Sequence, residues 1–309
     1  MSCFKKRSFS RGIGRPTPFV LVVVLLLPCS LFAQSYDSLN ALTRHKAKLY
    51  YSNGTAVRAG QIATRIDKVH GYYDSAVHFK PAATLLILSP ADWPTYSAKG
   101  AVYGMPHYTG NQTLIVASED NPFWKSFAPP ADKLPKDLAG QLIKAYSDKN
   151  GNLSMQGFFD QLAIHEYAHA YHNQGGLSMQ RKWMGELFAN ILLHTYVAER
   201  EPALLPALTL FPKLVISQGT QGFAYTSLTD FEEKYDDIAR KSPRNYGWYQ
   251  CKLHAAAADI YNAGGPEVIK KLWVALQHKT KLNDDDFAAM LAKDVHQSVA
   301  DVFLKWNAE

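Results

Sequence analysis

Apolar positions follow two different rhythms along this chain. In the first half they come as short runs bounded by turn residues. His45 to Ser52 (HKAKLYYS) predicts a strand that ends at the Asn53-Gly54 turn. Thr84 to Leu88 (TLLIL) predicts a second, enclosed by Lys80-Pro81 and Ser89-Pro90, and Gln112 to Ser118 (QTLIVAS) a third, followed by the loop Glu119 to Pro122. Ile62, Ile66, Val69 and Tyr73 recur at spacings of four, three and four, which predicts a helix between the first two strands. From about residue 137 the rhythm is helical almost throughout. Helices are expected over about 155–173, from after Ser178 to about Arg200, and at about 229–240, 245–263, 266–278, 284–293 and 296–307. Pro202, Pro206 and Pro212 mark a less regular stretch, and Gly264-Gly265-Pro266 separates two helices. The pattern predicts an α+β fold: a small mixed sheet with helices over 34–176, then a mostly helical lobe over 177–309, together forming one unit.

The first 33 residues stand apart and read as a secretory signal peptide. Lys5, Lys6, Arg7, Arg11 and Arg15 precede an unbroken apolar run from Phe19 to Leu27, and Ala33 offers a small residue for cleavage before Gln34. That run is too short for a stable membrane anchor. Cys29 raises a lipid-anchored alternative, which Pro28 directly before it disfavours. Cleavage predicts a secreted or periplasmic protein. It also removes five basic residues and no acid, which takes the formal charge from +6 to +1. No charge argument for nucleic acid or an anionic membrane survives. Of three cysteines only Cys251 remains, so no internal disulfide supports the fold.

The chemistry concentrates in His165-Glu166-Tyr167-Ala168-His169. Two histidines four apart on a helix project from one face and can grip one zinc ion, with the glutamate between them placed to take a proton from a metal-bound water. Catalytic zinc needs a third protein ligand. His172 shares the stripe, but its Cα lies about 10 Å along the axis from that of His165, too far for all three to reach one ion from a straight helix. The longer H-E-x-x-H-x-x-G-x-x-H pattern fails at His172 and Gly175. Glu186 lies on the next helix, among Met184, Leu187 and Phe188, beyond a short connection through Gly175-Gly176. A helix folded back on the first would bring it to the two histidines. Asn190, one turn later, could accept a hydrogen bond from a ligand imidazole. Asp148 to Ser154 imitates a calcium loop but has Phe159 where a bidentate glutamate is required, so it reads as a polar turn. Asn53, Asn111 and Asn152 head glycosylation sequons.

On His165, Glu166, His169 and Glu186 the chain resembles the gluzincins, the thermolysin-like and aminopeptidase-like zinc metallopeptidases. Sixteen residues separate His169 from Glu186, slightly fewer than in the best-known members, and Asn190 replaces their usual aspartate. The strand, helix, strand, edge strand and metal-helix order is also theirs, with Gln112 to Ser118 as the edge strand that would pair with an extended peptide. The resemblance implies a peptide or protein substrate, one zinc ion, Glu166 as general base, and an oxyanion donor from Tyr246-Gly-Trp-Tyr249. Tyr249 is the first choice there, with Tyr246 and His254 as alternatives. Phe287 to Trp306 resembles the family's C-terminal helical lobe. Gly104-Met-Pro-His-Tyr lacks the acid that aminopeptidases use to hold a substrate amine, which points to an endopeptidase or a processing peptidase. Two other classes compete: a non-catalytic peptide-binding protein on this scaffold, and a structural zinc site, which normally shows four protein ligands.

Overall fold

The computed structural model describes residues 35–307; the predicted signal segment, its cleavage site and Cys29 lie outside them. Asp37–Glu309 forms one compact unit. In chain order the strands are β1 (Asn40–Leu42), β2 (Lys48–Tyr51), β3 (Thr84–Leu88), β4 (His107–Thr109) and β5 (Thr113–Ala117). Helix α1 (Ala56–Val77) joins β2 to β3, and the short α2 (Trp93–Tyr96) and α3 (Pro122–Lys125) flank the last two strands. Then come α4 (Lys136–Ala145), α5 (Gln156–Gln174), α6 (Lys182–Arg200), α7 (Leu205–Ser217), α8 (Leu228–Lys241) and α9 (Pro243–Gly264). Helices α10 (Glu267–Ala275), α11 (Asp284–Met290) and α12 (Gln297–Leu304) end the chain, with a π-helical turn over Leu291–Val295 between the last two. The fold is α+β, with a mostly helical C-terminal part.

The sheet order is β1-β2-β3-β5-β4; β2, β3 and β5 are mutually parallel, and β1 and β4 are antiparallel at the two edges. This corrects one expectation. The Gln112–Ser118 strand is not an edge: all five residues of β5 are buried between β3 and β4. A continuous apolar run such as TLIVA suits an interior strand covered on both faces. The exposed edge falls to three half-buried residues, His107 to Thr109, and short edge strands of this kind limit unwanted pairing. The strand predicted over 45–52 is shorter, because Asp67 of α1 takes His45 Nδ1 at 2.8 Å and the Lys46 amide at 2.7 Å before β2 begins.

The stretch after Pro202 is also more regular than its prolines suggest. Pro206 sits in the first turn of α7, where a missing N–H costs nothing, while Pro212 lies inside the helix. The suspected calcium loop is a turn: Asp148 Oδ1 accepts the amides of Asn150 and Asn152 at 2.8 and 2.9 Å, closed by a bridge between Ser147 and Leu153.

Helix α6 runs through the middle of the helical part. Every residue from Trp183 to Val197 is buried. A helix apolar on nearly all sides must be surrounded, and α5, α7, α8 and α9 all pack on it. Helix α5 joins the two halves. Arg58 of α1 forks onto its Asp160, and His70 Nδ1 meets its Tyr167 hydroxyl at 2.6 Å.

The turn out of α5 leaves no room for a side chain. A Cβ on Gly175 would stand 2.3 Å from Trp273 Cη2 and 2.6 Å from the Tyr171 carbonyl oxygen, and Gly176 follows at φ +67°. The variant Gly175→Ala should therefore lose about 1–3 kcal/mol through overpacking. Urea unfolding checks this, and an unchanged midpoint would contradict it.

Candidate metal centre

Helix α5 places His165 and His169 one turn apart, and α6 brings Glu186 against them. His165 Nε2 lies 3.2 Å from Glu186 Oε2, His169 Nε2 lies 3.6 Å from the same oxygen, and the two Nε2 atoms are 3.1 Å apart. Zinc bonds of about 2.0–2.1 Å to nitrogen or oxygen make a tetrahedron with edges near 3.3 Å. The three donor atoms therefore already stand at the mutual spacing of ligands on a single ion. His165, His169 and Glu186 form a group that could hold a metal ion, with His165 and Glu186 buried and His169 half-buried. Glu166 is not part of this group.

The far sides of both rings are occupied too. His165 Nδ1 lies 3.1 Å from Asn190 Oδ1; an amide oxygen only accepts, so this contact favours the proton on Nδ1 and would leave Nε2 free for a metal. His169 Nδ1 lies 2.8 Å from His172 Nε2. Burial, with His169 nearby, lowers His172 to about 3, so it is neutral and can accept. With both Nδ1 atoms donating outward, the two Nε2 atoms and a carboxylate oxygen point at one spot. Such a set repels itself unless a cation or shared protons lie between.

Titration bears the same mark. Burial favours the neutral form of both Glu186 and His169, but their mutual attraction outweighs it. Glu186 is held well below the usual carboxylate range by His169 and His165. His169 is raised above 6.5 by Glu186.

A surrounding layer, mostly not foreseen from sequence, holds Glu186. The Tyr235 hydroxyl of α8 donates to its Oε1 at 3.1 Å, and Gln250 Nε2 of α9 donates to its Oε2 at 2.9 Å and to the Tyr246 hydroxyl at 2.8 Å. Glu232 of α8 caps α6: its Oε1 accepts the Trp183 amide at 3.1 Å, satisfying one of the free donors at the helix start. Asn190 stands where the sequence places it, one turn past Glu186. Local sequence marks neither Tyr235 nor Gln250; only their four-residue spacing from Phe231 and Tyr246 hints that they face inward.

The structure does not bring Tyr249 to the centre. Its ring is fully buried, its hydroxyl donates to the Ser227 carbonyl at 2.8 Å, and its ring stacks on Trp306. Tyr246 is the tyrosine on the Glu186 side. Its hydroxyl is 3.5 Å from that of Tyr235, whose proton goes to Glu186, so in this long bond Tyr246 is the donor and the Tyr235 oxygen accepts. His254 lies behind Asn190, with Nδ1 3.3 Å from Oδ1, and burial lowers it to about 3.

A cavity of about 540 Å³ opens beside the cluster, with His165, Glu166, Tyr246 and Gln250 along its lining. Much of its remaining wall is apolar, including Phe127, Phe158, Phe159, Phe211, Leu162 and Val215. Glu166 is half-buried there and makes no hydrogen bond or ion pair among the described residues. No protein-family model and no curated protein matches the chain.

Metal binding should be proton-coupled. Because Glu186 raises the proton affinity of His169, affinity for a divalent ion should start to fall while the pH is still above 6.5. Titration calorimetry at several pH values checks this. In the metal-free protein the signs run the other way for stability. The raised His169 stabilises below 6.5 and loses its effect as pH rises through its folded value; the lowered Glu186 stabilises above 4.5 and loses its effect on acidification. The chelator-treated protein should therefore gain most from this pair between about pH 4.5 and 6.5, read as a maximum in its contribution to melting temperature.

Proposed function

We propose that this protein is a zinc-dependent peptidase of the gluzincin type, exported by its first 33 residues to the periplasm or the exterior. The observation that carries the reading is the convergence of His165 Nε2, His169 Nε2 and Glu186 Oε2 at 3.1, 3.2 and 3.6 Å, with both Nδ1 atoms hydrogen-bonded elsewhere. Three protein ligands leave a fourth position for water, the arrangement of a catalytic rather than a structural zinc. Zinc bound there would polarise a substrate carbonyl and acidify the attacking water.

The chain's own residues supply the rest. Glu166, unpaired and facing the cavity, takes the proton of the water and can return it to the leaving amine. Gln250 holds the Tyr246 hydroxyl in place, and its proton, given to Tyr235 only across a long 3.5 Å, can turn to the oxygen of the attacked carbonyl. An extended substrate would add a strand to the open edge of β4. Met105 and Pro106, which lead into that strand, line the cavity. The aromatic wall favours a large apolar side chain beside the scissile bond. Among the described residues no helix is long and apolar enough to cross a membrane.

The test is hydrolysis of a broad peptide library by the zinc-loaded protein. Glu166→Gln should keep its metal and lose about 10²–10⁴ in kcat/KM. Tyr246→Phe should lose about 10²–10³, mostly in kcat, while Tyr249→Phe should stay near wild type. If wild type and Glu166→Gln bind zinc and are equally inert, the scaffold is a peptide-binding one and the enzyme reading falls.

A further inference from the structure

Helices α6 and α9 meet through two matched pairs of side chains, each pair spaced by one turn. Gln250 faces Glu186 at 2.9 Å and His254 faces Asn190 at 3.3 Å. The second pair has a third member, because His165 Nδ1 of α5 approaches the same Asn190 oxygen at 3.1 Å. Asn190 and His254 are both nearly fully buried, and Asn190 Nδ2 and His254 Nε2 have no hydrogen-bond partner among the described residues. All the bonding in this group therefore runs through one oxygen. An amide oxygen has two lone pairs and can accept both imidazole N–H groups at once.

We infer that His254 is a positioning residue for the metal centre: it holds the Asn190 amide oxygen toward His165 and so keeps His165 in the tautomer whose Nε2 is free for metal. The inference rests on the metal reading above. An asparagine amide has two orientations of nearly the same shape. Facing His165 alone, either would pair, with the oxygen accepting from Nδ1–H or the nitrogen donating to a bare Nδ1. The second leaves the proton on Nε2, where the ion belongs. A second N–H on the same oxygen opposes that rotation, since turning the amide would set its NH₂ against the N–H of His254. His254 thus acts on the metal centre through Asn190 and is not itself in the ligand group.

Two measurements test this. The first is the zinc dissociation constant, by chelator competition, of wild type, His254→Phe and His254→Asn, each checked for an unchanged melting curve. Loss of such an outer partner weakens binding by about 10–100-fold, and His254→Phe should fall in that range. His254→Asn, whose Nδ2 replaces the lost Nδ1 donor, should stay close to wild type. The second is nitrogen NMR of the histidines in zinc-free wild type, where both His165 and His254 should carry the proton on Nδ1. Wild-type affinity in His254→Phe overturns the inference, as does equal weakening in His254→Asn or a proton on Nε2 of His254. If wild type binds no zinc, the metal reading fails by itself, and the NMR result still decides how Asn190 is held.

Discussion

The fold is organised by a carboxylate buried in the second turn of an apolar helix. From Trp183 to Val197 every residue of helix α6 is buried, yet it carries Glu186, Asn190 and His194 at successive four-residue steps. A charge removed from water must be matched by partners, or it costs several kcal/mol. The partners come from three other helices: histidines from α5, a tyrosine from α8 and a glutamine from α9. These helices are held in register around α6 partly because Glu186 cannot be buried without them. A further carboxylate, Glu232, fastens the start of α6 to α8.

The two sides of α5 show how one helix serves both the core and the site. Tyr167 and Tyr171 pack toward α1, where Tyr171 meets Tyr73 edge-on at 5.1 Å. His165 and His169 face α6 instead. The sheet gives α5 a rigid support, and Met105 and Pro106, which lead into its short edge strand β4, line one side of the cavity. Rigid elements on both sides hold three donor atoms at metal-ligand spacing.

Legibility followed the range of the interaction. His165, His169 and Glu166 could be identified from sequence because their geometry is that of one helical turn. Glu186 and Asn190 needed one further step, a short turn through Gly175-Gly176, and both stand where expected. Tyr249 and Tyr246 are three residues apart on α9, and nothing local distinguishes them. The choice is made by Ser227 and Trp306, which capture Tyr249 from far along the chain. Strand β5 was read correctly as a strand but misplaced in the sheet, because strand order is set by pairing between distant segments. Pro212 looked like a helix break, but the packing around α7 tolerates it.

The sequence by itself determined the local periods, the succession of elements and the pair of histidines with a glutamate between them. Those depend on backbone geometry over a few residues, which short-range spacing encodes directly. Only the tertiary structure decided which tyrosine faces the centre, which strand forms the edge, and that Gln250, Tyr235 and His254 serve Glu186 and Asn190. Those depend on how helices dozens of residues apart rotate about their own axes to bury their apolar faces. That rotation is settled by the packing of the whole core rather than by any one segment.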